Sequence, residues 1–153
     1  MSDYYDAFDI SPVPPPAPDV SPPEIYRGIY GMPMFVTVPT PDLATSVDFW
    51  IRGLGFIDLF SIPGHVTHVR RWAFQDALLV PTSHPADAPA VSVSFACVLS
   101  QIDEIAQACA AVLPGCTEGP RQTPWNTVDL EVITPENARV IMTAARQHDP
   151  DSE

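Results

Sequence analysis

An internal repeat constrains this chain more than any other feature. One order of segments, strand, amphipathic helix, then three short extended pieces, occurs twice. In the first half Met34, Val36 and Val38 alternate with Phe35 and Thr37, which is the period of a strand. Thr40-Pro41-Asp42 then supplies a capping residue, a proline for the first helical position and an early acid, so a helix is predicted to start there. Leu43, Val47, Trp50, Ile51 and Leu54 lie on one stripe of that helix, which should stop at Gly53 or Gly55. Extended pieces follow near Phe56 to Ile62, Val66 to Phe74 and Ala77 to Val80, divided by Pro63-Gly64 and Gln75-Asp76.

The second half runs the same way. Val91 to Leu99 reads as a strand, and Ser100 with Asp103 resembles a capping box opening a helix. Ile102, Ile105, Ala106, Cys109, Val112 and Leu113 form its apolar stripe, ended by Pro114-Gly115. Extended segments are predicted near Thr117 to Gln122, Val128 to Ile133 and Ala138 to Ala144. Leu43 corresponds to Ile102 and Gly55 to Pro114 at one offset, and such self-similarity outweighs any single propensity. The predicted class is α+β, with two βαβββ modules at about 32–83 and 90–146.

Residues 1–31 differ from this pattern. Seven prolines fall between Pro12 and Pro23, and Asp3, Asp6, Asp9, Asp19 and Glu24 face no base among the first 24 residues. Proline at that density cannot propagate a helix or a central strand and samples polyproline II. Tyr4, Tyr5, Phe8, Tyr26 and Tyr30 leave two readings open: a solvated arm, or an arm packed on its own domain or on a partner subunit. Residues 147–153 form an acidic tail. The whole chain holds 19 acids against seven arginines and no lysine, a formal charge of −12. That balance disfavours nucleic acid and anionic membranes and favours cationic partners. Three cysteines without a CxxC pair, and no apolar N-terminal stretch, suggest a reduced, cytoplasmic protein with no membrane association.

Thr40-Pro41-Asp42-Leu43, Ser46-Val47-Asp48-Phe49-Trp50 and Leu54-Gly55-Phe56 resemble the first-module signature of the glyoxalase/bleomycin resistance/dioxygenase superfamily, also called vicinal oxygen chelate. Thr134-Pro135-Glu136-Asn137-Ala138 is similar to that superfamily's turn before its last strand. Phe49-Trp50, Pro124-Trp125 and Gln101-Ile102-Asp103-Glu104-Ile105 look most like the bleomycin resistance proteins. The resemblance spans residues 32–146. It implies two curved mixed sheets around a ligand cavity, helices on the convex side, and a homodimer with shared ligand crevices.

Catalytic members of the superfamily hold a divalent metal on four strands. The resemblance puts Phe35, Leu79, Ser94 (or Val93 on the neighbouring register) and Ile141 at those positions. Three apolar side chains and one hydroxyl cannot replace the several imidazole, carboxylate or thiolate donors such a site needs. No metal and no cofactor are therefore expected. His65 and His68 form an H-x-x-H, but on an extended segment they point to opposite faces, and they read as exposed loop histidines. Cys97 and Cys109 read as buried apolar residues, and Cys116 as a possible exposed thiol.

What remains is a partly aromatic cavity. Its candidate walls are Phe35, Thr37, Phe60, Trp72, Leu79, Ser94, Trp125 and Ile141, with Trp50 assigned to the core. Trp125 is the leading ligand contact, because Pro124-Trp125 matches the family loop that reaches over the ligand. Asp129 and Glu131 share one strand face and either attract a cationic ligand or pair with Arg70, Arg71 or Arg139; of the adjacent Arg70 and Arg71 only one should face inward. The resemblance and these residues together suggest noncovalent binding of a small-molecule antibiotic, cationic or planar-aromatic, such as a bleomycin-type glycopeptide or a bisintercalating peptide. The alternatives are a lyase, isomerase or dioxygenase-like enzyme of the same fold, or an interaction protein in antibiotic biosynthesis.

Overall fold

A computed structural model describes residues 17–28, 35–72, 75–84 and 92–147. Both repeats form the expected unit. The first comprises β1 (Val36–Thr40), α1 (Leu43–Arg52), β2 (Ile57–Ile62), β3 (Val66–Arg70) and β4 (Asp76–Pro81). The second comprises β5 (Ser92–Cys97), α2 (Leu99–Val112), β6 (Thr117–Gln122), β7 (Thr127–Ile133) and β8 (Arg139–Ala145). The sheets have equivalent orders, β1-β4-β3-β2 and β5-β8-β7-β6. In each the first pair is parallel and the other two are antiparallel. The offset between modules is not constant. Val36 answers to Ser92, Ile57 to Thr117 and Asp76 to Arg139, a spacing that grows because α2 has 14 residues against 10 in α1 and β7 outruns β3.

Both helix starts differ from the sequence-based expectation. The N-cap of α1 is Asp42, whose carboxylate accepts from Thr45 N (3.1 Å) and Thr45 Oγ1 (2.8 Å). Thr40 instead ends β1, and its hydroxyl lies 2.7 Å from Ser46 Oγ. Helix α2 begins at Leu99, before Ser100. Its cap, Val98, has no side-chain oxygen, so Gln101 Oε1 takes the Val98 N–H at 3.2 Å.

Alternation sorts the strands into two faces. Val38, Thr67, Val69, Ala77 and Leu79 of the first sheet are buried with Phe49, Trp50 and Leu54 of the α1 region. In the second sheet Phe95, Leu130, Val132, Val140, Met142 and Ala144 are buried with Ile102, Ile105 and Cys109. One core joins the modules: Phe95 of β5 stands edge-on to Trp50 and Phe56, with ring centroids 6.1 and 5.1 Å apart. Gly53 lets the end of α1 approach α2, since a Cβ there would lie 3.3 Å from Cys109 Sγ. A buried carboxylate reinforces the joint. Glu136, in the turn before β8, accepts from Trp50 Nε1 and Ser46 Oγ, both at 2.7 Å. The next residue, Asn137, takes φ 67°, a left-handed conformation that asparagine tolerates.

Residues 17–28 pack on the fold, matching the docked reading for that part of the arm. Arg70 Nη1 donates to Tyr26 O (2.8 Å) and Gly28 O (2.6 Å), and the guanidinium lies 5.5 Å from the Tyr26 ring centroid. Tyr4, Tyr5, Phe8 and Tyr30 fall outside the described residues, as does the tail from 148. Cys116, expected as an exposed thiol, is buried. Among the described residues no helix is long and apolar enough to cross a membrane.

Candidate functional site

The sheet faces turned away from the helices carry most of the candidate residues. On the first sheet the strand registers align Thr37 with Leu78, Leu78 with His68, and His68 with Phe60, while Phe35 sets its ring edge-on to His68 at 5.1 Å. Leu79 is not part of this face. It pairs with Val38 and Thr67 and is fully buried among the core residues, so Leu78 takes the open-face position assigned to it. The strand begins at Asp76, one residue earlier than the apolar run Ala77 to Val80 implied. His68 is also not a loop residue: it sits on β3, with Nε2 2.6 Å from Asp76 Oδ2. Arg70 Nε and Nη2 donate to the same buried carboxylate at 2.8 and 3.0 Å.

On the second sheet Ser94, Ile141, Glu131 and Asp129 share the open face, since Ser94 pairs with Ile141, Ile141 with Glu131, and Asp129 with Thr143. The two carboxylates are committed differently. Glu131 accepts from Arg139 Nε at 3.0 Å. Asp129 Oδ1 accepts from the Thr127 and Thr143 hydroxyls at 2.8 and 2.7 Å. Trp125 lies in the turn between β6 and β7, 70% exposed and away from the best-formed cavity.

That cavity, of about 260 Å³, lies where the modules and the arm meet. The second module contributes Ala96, Thr127, Thr143 and Ala145 from the open face, with Cys97, Val98 and Gln101 at the start of α2. The first contributes Arg71, Trp72 and Gln75 beyond the end of β3, and the arm contributes Pro23. A smaller cavity of about 180 Å³ adjoins it beside Pro22, Ile25 and Gly55, sharing Arg71 and Trp72. Of the predicted walls, only Trp72 lines this space. Phe35, Thr37, Phe60, Ser94, Asp129, Glu131 and Ile141 lie elsewhere on the two open faces.

The polar edge of the cavity had no periodic signature. Arg71 follows the last residue of β3, so strand alternation does not govern it, and both Arg70 and Arg71 turn toward the protein. Arg71 Nη1 donates to Ala96 O at 2.9 Å and Nη2 to Gln101 Oε1 at 2.7 Å. Gln75 Nε2 reaches the same Ala96 carbonyl at 3.0 Å, which leaves Gln75 Oε1 buried without a hydrogen-bond partner among the described residues. Burial lowers the Arg71 pKa, partly countered by the nearby Cys97 sulfur, and pushes the Cys97 thiol up to about 11. Cys97 is therefore a neutral thiol at pH 7.

Solved structures share this architecture. A glyoxalase/bleomycin resistance protein/dioxygenase from Nocardioides superposes with TM-score 0.58 at 18% identity, covering 88% of this chain and 91% of that one. The fold is that of the glyoxalase/bleomycin resistance/dioxygenase proteins. The fosfomycin resistance protein FosX from Listeria monocytogenes has TM-score 0.60 at 12% identity, covering 80% and 96%. A lactoylglutathione lyase from Agrobacterium tumefaciens has TM-score 0.56 at 16% identity, covering 75% and 94%. No family model matches the chain, and no curated protein matches it.

The metal expected of catalytic members of this fold does not suit the residues here. With the observed register the four positions hold Phe35, Leu78, Ser94 and Ile141, a donor set of one hydroxyl. No three His, Cys, Asp or Glu side chains converge elsewhere among the described residues. The arrangement offers instead an apolar cleft with an indole wall, a guanidinium, two amides and two hydroxyls. That combination suits noncovalent capture of a flat molecule.

Proposed function

We propose that this protein binds a planar aromatic small molecule noncovalently, in the manner of a drug-sequestering resistance protein, within the cavity between its modules. The observation that carries this reading is the cavity itself, whose lining brings together Trp72 of the first module, Ala96 and Ala145 of the second and Pro23 of the arm. A flat ring between an indole and small apolar residues gains burial plus about 1 kcal/mol of stacking. The side chains at the four positions where catalytic members hold a metal, three apolar and one hydroxyl, support a binding rather than a catalytic role. An antibiotic is the proposed physiological ligand, consistent with the resistance proteins among the structures of this fold. The cationic part of the expectation loses its support, because Glu131 is paired with Arg139 and Asp129 is held by two hydroxyls.

Homodimerisation belongs to the same proposal. Phe35, Phe60 and Ile62 expose 42%, 57% and 46% of their surface, and Phe60 and Ile62 flank Ser61 on one face of β2. A second copy covering this face would remove that apolar area from water. A catalytic reading draws on one observation, the His68–Asp76 pair, but Asp76 is already bound by two Arg70 nitrogens. Titration of quinoline- and quinoxaline-bearing peptides and of bleomycin-type glycopeptides, followed by Trp fluorescence and thermal stabilisation, tests the binding reading. A flat response to every compound would contradict it, and recovery of altered compound would favour the enzyme.

A further inference from the structure

Among the described residues, Arg71 is the one side chain lining the cavity that carries a formal charge, although the protein as a whole is strongly acidic. Its neighbours do not neutralise it. The groups that accept from it are a main-chain carbonyl and a glutamine amide, and no ion pair joins it to a carboxylate among the described residues. This differs sharply from Arg70 next to it, which is paired with Asp76 and bonded to two arm carbonyls. A cation partly withdrawn from water and held only by neutral dipoles gains from any anion that reaches it. Burial, which lowers the Arg71 pKa, acts in the same direction.

The surroundings reinforce the sign. The first turn of α2 opens on the cavity through Val98 and Gln101, placing the positive end of a helix dipole beside Arg71. Gln101 Oε1 accepts both the Val98 N–H and Arg71 Nη2, so one amide fixes the helix start and the guanidinium together. Asp129, whose charge reaches Cys97, accepts from the Thr127 and Thr143 hydroxyls and is not a lining residue among those described. Cys97 is a neutral thiol, as its raised pKa requires.

We infer that the ligand is an aromatic acid: its ring stacks on Trp72 and its carboxylate, or an equivalent anion, binds Arg71 at the Ala96–Gln101 edge. This rests on the binding reading above and adds the charge of the ligand, opposite to that expected from the protein's net charge.

Three isosteric probes separate the effects of ring and charge: 2-naphthoate, 2-naphthamide and 2-naphthylmethylammonium, titrated calorimetrically against the full chain. The naphthoate should bind at least about tenfold more tightly than the amide, and the ammonium most weakly. In Arg71→Gln the naphthoate advantage should disappear while the amide keeps its affinity within about threefold; Arg71→Lys should keep part of the advantage. Equal affinities of the three probes in the unmodified protein, a measurement independent of how any variant folds, would overturn the inference alone. So would an advantage retained in Arg71→Gln. Failure of all three to bind at millimolar concentration would overturn the cavity reading, and the inference with it.

Discussion

Replacing Glu136 separates a structural joint from a functional one. Its carboxylate ends a chain of donors: Asp42 N–H to Thr40 Oγ1 at 3.1 Å, the Thr40 and Ser46 hydroxyls at 2.7 Å, and Ser46 Oγ to Glu136 Oε2 at 2.7 Å. Trp50 Nε1 takes the other oxygen. Both ends are buried, so alanine would leave the indole N–H without an acceptor and take the charged acceptor away from the Ser46 hydroxyl. Hydrogen bonds to a charged group contribute about 1.5–3 kcal/mol each, and Glu136→Ala should cost about 3–5 kcal/mol. For a chain of this length that lowers the melting temperature by about 10 °C. Glu136→Gln should cost less than about 1.5 kcal/mol, because its oxygen can serve Trp50 while its NH₂ donates to Ser46. Ser46 then turns to Thr40, whose hydroxyl has Asp42 O within 3.1 Å. Urea denaturation with a shared m-value measures both. An alanine variant within about 1 kcal/mol of the unmodified protein, or a glutamine variant as damaged as alanine, would refute the reasoning.

Three further outcomes are expected. Arg70→Met should take the guanidinium from the buried Asp76 carboxylate and free the arm, costing about 3–5 kcal/mol and raising hydrogen exchange in residues 17–28 more than in β8; unchanged arm exchange would contradict the docking described. Burial raises the thiols of Cys97 and Cys109 to about 11 and about 12 from 9.0, so they stabilise the fold fully below pH 9 and lose that contribution as pH rises through 11–12. Stability should therefore fall over this window, and less steeply in Cys97→Ala; identical slopes would refute the assignment. Phe60→Asp should shift the protein from dimer to monomer in sedimentation without changing its melting temperature at high dilution, and a monomeric unmodified protein would remove the dimer from the proposal.

The fold was readable because the repeat, the alternation and the apolar stripes are local patterns tied to burial. Leu43 to Leu54 and Ile102 to Leu113 mark two helix faces whatever surrounds them. Errors entered where chemistry depended on phase or on distant partners. Ala77 to Val80 is apolar throughout, so alternation could not tell Leu78 from Leu79, and pairing with Val38 decided it. Thr40 resembled a cap but was drawn away by Ser46, leaving Asp42 to serve. Glu136 was legible as part of the turn before β8 but not as a buried acceptor, because its partners Ser46 and Trp50 lie in the other module. The cavity was least legible. Trp72 was identified from its residue type, whereas Arg71, Gln75 and Gln101 converge on it only through loops and a helix start.

The most direct test of the central claim is a crystal structure of the full chain grown with saturating 2-naphthoate. The account predicts the ring against Trp72, between Pro23 and the Thr143 strand, with the carboxylate on Arg71. A ligand seated instead against Phe35 and Phe60 on the open face of the first sheet, or against Trp125, would contradict it.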